Sequence, residues 1–367
     1  MALHPRHPFL ALGLSLLVSS CVIVDRPLLG LRSIAGGIHN RRQVSGLDAF
    51  FFADGRMGLA ANGALLVERE PGGVRVRLAD MFADIDDVAP SPDGLGVVFV
   101  SGREQITAGG GHNDHVFQLY LMELATGAWR RLGTSRRAEL LPCFTADGRR
   151  VVFARRAEYA GWSLDNPWGP ASLFVIDVDG SNERRLTEPL AYPLLGLQLV
   201  DGDRTILYGA RDDAGVANVY AVDFPEGGSP RLLVPNAFLP TALPEGARGE
   251  DGAHFLVART VRDEDGGVSF SLARCALDGT VLSERELSPF EPLSIAPSPD
   301  GNEVLWSDFD PDLGQFGRYR LRSLPKGSRV SIELETLEYR NPERYKPLDV
   351  IRPLSWWFRD GASPGSR

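Results

Sequence analysis

Short apolar runs separated by glycine-bearing bends fill the chain from about residue 45 to residue 335. Val97–Val100, Val151–Ala154, Thr205–Tyr208 and Val304–Trp306 each place three or four strand-forming side chains in succession. Gln118–Leu124 and Ser172–Val178 are longer and also end at turns. Runs of this length, bounded by Gly and Asp, read as β-strands, and no comparable stretch keeps the 3.6-residue period of a helix.

The bends repeat. Asp-Gly stands at positions 54–55, 93–94, 147–148, 201–202, 251–252 and 300–301, at intervals of about forty to fifty-five residues. Asp-Gly favours a two-residue hairpin turn in which both central residues take positive φ. A second series lies between: 71–73, 126–127, 179–180, 226–228, 278–279 and 325–327. Two hairpins per unit make four strands, and six such units predict an all-β, six-bladed propeller of four-stranded antiparallel blades. One such sheet cannot bury both faces alone, so neighbours stack around an axis.

The first residues carry a different pattern. Arg6 precedes an apolar run, Phe9–Val18, and then Ser19, Ser20 and Cys21. That run is too short to span a bilayer and suits a signal-peptide core. Small residues before a cysteine resemble the bacterial lipobox, which predicts a signal peptide over 1–20, lipidation of Cys21 and a tether over 21–44. The propeller then covers 45–335 and a C-terminal extension 336–367. Val22 follows the cysteine where an inner-membrane retention signal has Asp, so the expected place is the outer membrane, facing the periplasm. The membrane is reached through the lipid alone.

Net charge is -9, and loss of Arg6 with the signal peptide makes it -10. An acidic surface repels phosphate backbones, which argues against nucleic acid as a partner. Cys143 and Cys275 fall in non-adjacent units, too far apart for a disulfide, and read as small core residues.

Ala89–Gly94, Phe144–Gly148 and Ala296–Gly301 resemble the Ser-Pro-Asp-Gly segment of TolB-type propeller repeats. Leu173–Gly180 followed by Arg184–Thr187 is similar to the second half of the same repeat. The resemblance implies the propeller fold and a use in docking envelope proteins. The α/β domain that precedes the propeller in that family has no room here. Nor does the chain carry the Gly-x-Ser-x-Gly elbow of the propeller-bearing hydrolases.

In such blades the hairpin turns lie on one face, and the longer connections lie on the other, where function concentrates. Three groups of candidates fall there. His112, Asp114 and His115, in a Gly-rich loop of blade 2, have metal-ligand chemistry but also read as a polar loop. Tyr159, Trp162 and Trp168 in blade 3 offer either a platform for a sugar or side chain, or a self-buried cluster. Acidic residues recur at Asp212 and Asp213, at Asp263, Glu264 and Asp265, and at Asp308, Asp310 and Asp312. Asp86, Asp87 and Glu139 should sit nearer the central channel. The alternate spacing of Asp308, Asp310 and Asp312 is that of calcium loops, although Gly314 stands one residue late.

No cofactor is expected beyond a possible calcium or other divalent cation. The expected function is non-catalytic: an acidic loop face that binds another envelope protein or cell-wall glycan. The alternative is a metal- or carboxylate-dependent lyase or hydrolase acting on polysaccharide or a small ester or lactone.

Overall fold

The computed structural model describes residues 47–335 apart from 62–63, 73–74, 80–84, 102–104, 108–112, 116, 136, 157–169, 191–193, 213–214, 266, 311–317 and 325–331. Six antiparallel sheets of four strands follow one another along the chain. Blade 1 is β1 (Leu47–Phe51), β2 (Met57–Ala61), β3 (Ala64–Glu68) and β4 (Arg75–Ala79). Blade 2 is β5 (Ile85–Pro90), β6 (Gly96–Ser101), β9 (Gln118–Glu123) and β10 (Trp129–Arg131), with a small hairpin, β7 (Gln105–Thr107) and β8 (Asn113–His115), between its second and third strands. Blade 3 is β11 (Glu139–Phe144), β12 (Arg150–Arg156), β13 (Ala171–Asp177) and β14 (Arg184–Arg185). Blade 4 is β15 (Leu194–Val200), β16 (Thr205–Arg211), β17 (Ala217–Asp223) and β18 (Arg231–Val234). Blade 5 is β19 (Ala237–Ala242), β20 (Phe255–Arg262), β21 (Val268–Cys275) and β22 (Val281–Ser288). Blade 6 is β23 (Pro292–Pro297), β24 (Val304–Asp310), β25 (Arg318–Leu324) and β26 (Ile332–Glu335). The protein is a six-bladed β-propeller.

The second strand of a blade explains the continuous apolar runs. β6 is buried along its whole length. Successive side chains of a strand point to opposite faces, and both faces of this one are covered. Val97 and Phe99 pack with Phe50, Phe52 and Leu65 of blade 1. Val98 and Val100 pack with Phe144, Val151 and Phe153 of blade 3. One strand thus serves two neighbours, so it cannot alternate apolar with polar. The outermost β22 does the reverse: residues 282–286 are exposed and read Leu-Ser-Glu-Arg-Glu. Charge on such an edge blocks pairing with another chain.

Both residues take positive φ at Asp201-Gly202, as expected, but the other Asp-Gly turns differ. In blade 2, Gly94 has φ 71°, while Asp93 is not among the residues of positive φ. The Gly94 N–H donates to the Ser91 carbonyl at 3.0 Å, and the Ser91 N–H donates to the Gly96 carbonyl at 2.9 Å. The loop is therefore longer than two residues. The Ser91 hydroxyl donates to Asp93 at 2.5 Å and accepts the Gly96 N–H at 2.8 Å, and the same carboxylate accepts the Leu95 N–H at 2.9 Å. Thr145 with Asp147 and Ser298 with Asp300 repeat this clasp. Ser-Pro-Asp-Gly is thus a self-contained hydrogen-bonded turn, which is why it recurs in sequence.

The ring closes by packing. Ala49, Met57 and Leu59 of blade 1 share a core with Ala296, Leu305 and Leu321 of blade 6. Among the described residues no strand from one end of the chain completes the blade at the other. Among those residues, too, no helix is long and apolar enough to cross a membrane.

Candidate functional site

The innermost strand of every blade faces the axis and lines a central channel of about 420 Å³. Its wall comprises residues 49–51, 87–90, 140–144, 194–198, 238–242 and 291–297, with Pro92 and Pro244. Strand pairing slips at one place in β5, β11, β15, β19 and β23. In four of these bulges one residue takes positive φ: Asp87 (44°), Leu141 (53°), Gly196 (85°) and Leu239 (50°). Gly196 suits that geometry, and a Cβ there would lie 3.1 Å from the Leu239 Cα of the next blade. Leucine does not suit it, and such strain survives only where the surroundings enforce it.

Among the described residues, Asp87 and Glu291 are the charged side chains of the wall. Asp87 accepts the backbone N–H of Leu141 at 2.9 Å, which joins the bulges of blades 2 and 3. Burial pushes its carboxyl from 3.8 up to about 6, against the lowering effect of that bond. Glu291 pairs with Arg211, yet burial outweighs the guanidinium and holds the Glu291 carboxyl above its ordinary value.

The remaining carboxylates divide by environment. Glu139 was expected near the channel, but it is fully buried between blades 2 and 3 and is no part of the wall. It accepts the Leu119 N–H of blade 2 at 2.9 Å and pairs with Arg155 at 2.6 Å. Arg155 also reaches Glu183 at 2.6 Å and lies 4.5 Å over the Phe174 ring. Burial raises the Glu139 carboxyl even beside this cation.

Asp308 was expected in an exposed acidic or calcium-binding loop. It belongs to β24, as does Asp310, and it is fully buried. Ser288 at the end of blade 5 donates to it at 2.9 Å, and Arg322 lies 3.1 Å away. A carboxylate so engaged is a tie between blades 5 and 6. The aspartates of this series within the described residues are strand positions rather than a ligand loop.

Asp212, Asp263, Glu264 and Asp265 are exposed at connections on one face, between β16 and β17 and between β20 and β21. The Asp212 and Asp263 side chains also brace their own turns, accepting the N–H groups of Val216 and Gly267. Asp114 and His115 lie on β8, and Asp86 on β5. Cys21, His112, Tyr159, Trp162, Trp168, Asp213 and Asp312 lie outside the described residues. Among the described residues no three His, Cys, Asp or Glu side chains are grouped to hold a metal. Cys143 and Cys275 are free and buried, and burial pushes both thiols up to about 12.

Arg211, Gly196, Leu141 and Leu239 escaped the sequence reading. The retrospective signal is thin: both leucines stand before proline, at Leu141-Pro142 and Leu239-Pro240.

No family model matches the chain, and no curated protein matches it. Among solved structures it is similar to TolB from Acinetobacter baumannii, at 16% identity with a TM-score of 0.51, over 77% of this chain and 61% of that one. It is similar to an oligogalacturonate lyase in complex with manganese at 13% identity with a TM-score of 0.50, over 74% of this chain and 72% of that one. A putative TolB from Agrobacterium tumefaciens aligns at 16% identity with a TM-score of 0.49, over 70% of this chain and 87% of that one. The chain spans about three-fifths of the length of the Acinetobacter protein. It has the fold of a TolB-like β-propeller, and at these identities the likeness is one of fold.

Proposed function

We propose that this chain is a non-catalytic envelope lipoprotein, anchored to the membrane by lipid on Cys21, whose propeller binds a basic part of another envelope protein or cell-wall component. The face used is the acidic connection face of blades 4 and 5. One observation carries the reading. Carboxylates matched to arginine in buried or half-buried positions (Glu139, Glu291 and Asp308) hold blades together, whereas Asp212, Asp263, Glu264 and Asp265 are exposed at the connections of two neighbouring blades. This second group would offer a local negative field to a basic partner.

Crosslinking in intact cells tests this. Charge reversal by Asp212→Lys, Asp263→Lys and Asp265→Lys should remove the main crosslinked species while the propeller stays folded, despite the loss of the two turn-bracing hydrogen bonds of Asp212 and Asp263. An unchanged catch from the folded triple variant would dispose of the acidic face. Metabolic labelling with an alkyne fatty acid tests the anchor: Cys21→Ser should abolish labelling, and persistent labelling would refute that position.

A further inference from the structure

The channel is a second place where this molecule can hold a ligand, and it is independent of the acidic connection face. Its volume of about 420 Å³ lies within the usual size range of small-molecule pockets. Half-buried Phe51, Leu141, Leu195, Leu239 and Leu293 give it an apolar wall from five different blades. Among the described residues the wall holds no Lys, Arg or His, and both of its carboxylates are engaged within the protein. Asp87 takes the Leu141 N–H and has a further interaction, and Glu291 is paired with Arg211. The charges of the wall are thus spent on the fold. Its neutral groups are not. Among the described residues each innermost strand pairs along one edge alone, which leaves backbone amides and carbonyls of the other edge facing the axis.

The two leucines of positive φ point the same way. Gly196 makes the equivalent bulge without strain, yet Leu141 and Leu239 keep a conformation that leucine adopts only at a cost. Their side chains are half-buried, so packing in the blade cores explains the choice only in part. A strained residue whose side chain faces a cavity marks a wall held in shape for an occupant.

We propose that the channel binds an uncharged small molecule, an aromatic or aliphatic body bearing a neutral hydrogen-bonding group such as a hydroxyl or amide. The leucines and Phe51 would cover the body, and the strand edges would supply a donor or acceptor for the polar group. Either kind of ion is disfavoured. A cation would give up its water and find both carboxylates already engaged, and an anion would face those same carboxylates across an apolar wall.

Calorimetry on the full chain near neutral pH tests the proposal, with 1-naphthalenemethanol as the probe. The ions 1-naphthalenemethylammonium and 1-naphthoate carry the same ring system and serve as comparisons. The alcohol should bind at one site and at least about tenfold more tightly than either ion, since an ion loses hydration there without gaining a counterpart. Leu239→Asn should weaken binding by about fivefold or more, because a large apolar side chain leaves the wall. Asparagine tolerates positive φ, so this variant keeps the bulge, and an unchanged or raised melting temperature checks it. Leu195→Trp, which fills the channel with an uncharged ring, should abolish binding. The proposal is overturned if the alcohol gives no saturable heat at millimolar concentration, or if either ion binds as tightly. It is equally overturned if either variant, folded, binds the alcohol as well as the unchanged protein does.

Discussion

Arg211, the last residue of β16 in blade 4, pairs with Glu291, just ahead of β23 in blade 6, although blade 5 lies between their sheets. Both side chains are about one-fifth exposed, at 21% and 18%. The pair ties two blades that share no strand pairing, at one end of the channel.

A double-mutant cycle with Arg211→Met and Glu291→Gln should therefore show a coupling of about 1–2 kcal/mol in urea unfolding, the scale of a charge-assisted hydrogen bond that retains some solvent. A coupling near zero would mean that the pair is decorative.

Arg155 predicts a larger effect. Its removal leaves Glu139 buried without its ion-pair partner and with only the weaker attraction of Arg131, and loss of one partner of a buried pair costs about 3–5 kcal/mol. Arg155→Met should fall in that range by chemical denaturation. Glu183→Gln should cost much less, since Glu183 is 32% exposed and water can replace it. Equal losses from the two variants would contradict the assignment of Glu139 as the dependent partner.

Asp87 sets a pH dependence of known sign. Its carboxyl is raised from 3.8 to about 6 in the folded chain, so the folded state holds the proton more tightly than the unfolded one. The contribution is therefore unfavourable above about pH 6, fades as pH falls toward 4, and is gone below it. Asp87→Asn should raise the urea midpoint at about pH 7.5 and leave it unchanged at about pH 3.5. A gain of the same size at both values would refute the titration.

The turn aspartates work in the opposite direction. Hydrogen bonds from Ser91, Thr145 and Ser298 hold the carboxyls of Asp93, Asp147 and Asp300 below the ordinary value, Asp300 at about 2. Their stabilisation is complete above the ordinary carboxylate range and is lost as pH falls toward 2. In an NMR titration Ser298→Ala should move the Asp300 midpoint up toward 3.8. A midpoint that stays put would show the hydroxyl to be idle.

The fold was legible because its two local devices are written in short segments. Val97–Val100 is apolar on both faces since two blades need it, and Ser91–Gly96 is a complete hydrogen-bonded turn within six residues. The site was less legible because it is made between segments. Glu139 is defined by Leu119 and Arg155, and Asp308 by Ser288 and Arg322, at separations that no local pattern encodes. Spacing suggested that Asp308 and Asp310 were loop ligands, yet alternate residues of a strand have that spacing too. Leu141 and Leu239 carry no sequence mark beyond the proline that follows each, since the register slip beside the axis imposes their positive φ.

The seam between blades 1 and 6 has a mechanical consequence. Among the described residues β1 is hydrogen-bonded to β2 alone, and its other relations are side-chain contacts, with blade 6 across the seam and with blade 2. Tension applied ahead of Leu47 falls first on this innermost strand. The ring would therefore yield from within, at the wall of the channel, while its outer rim stayed intact.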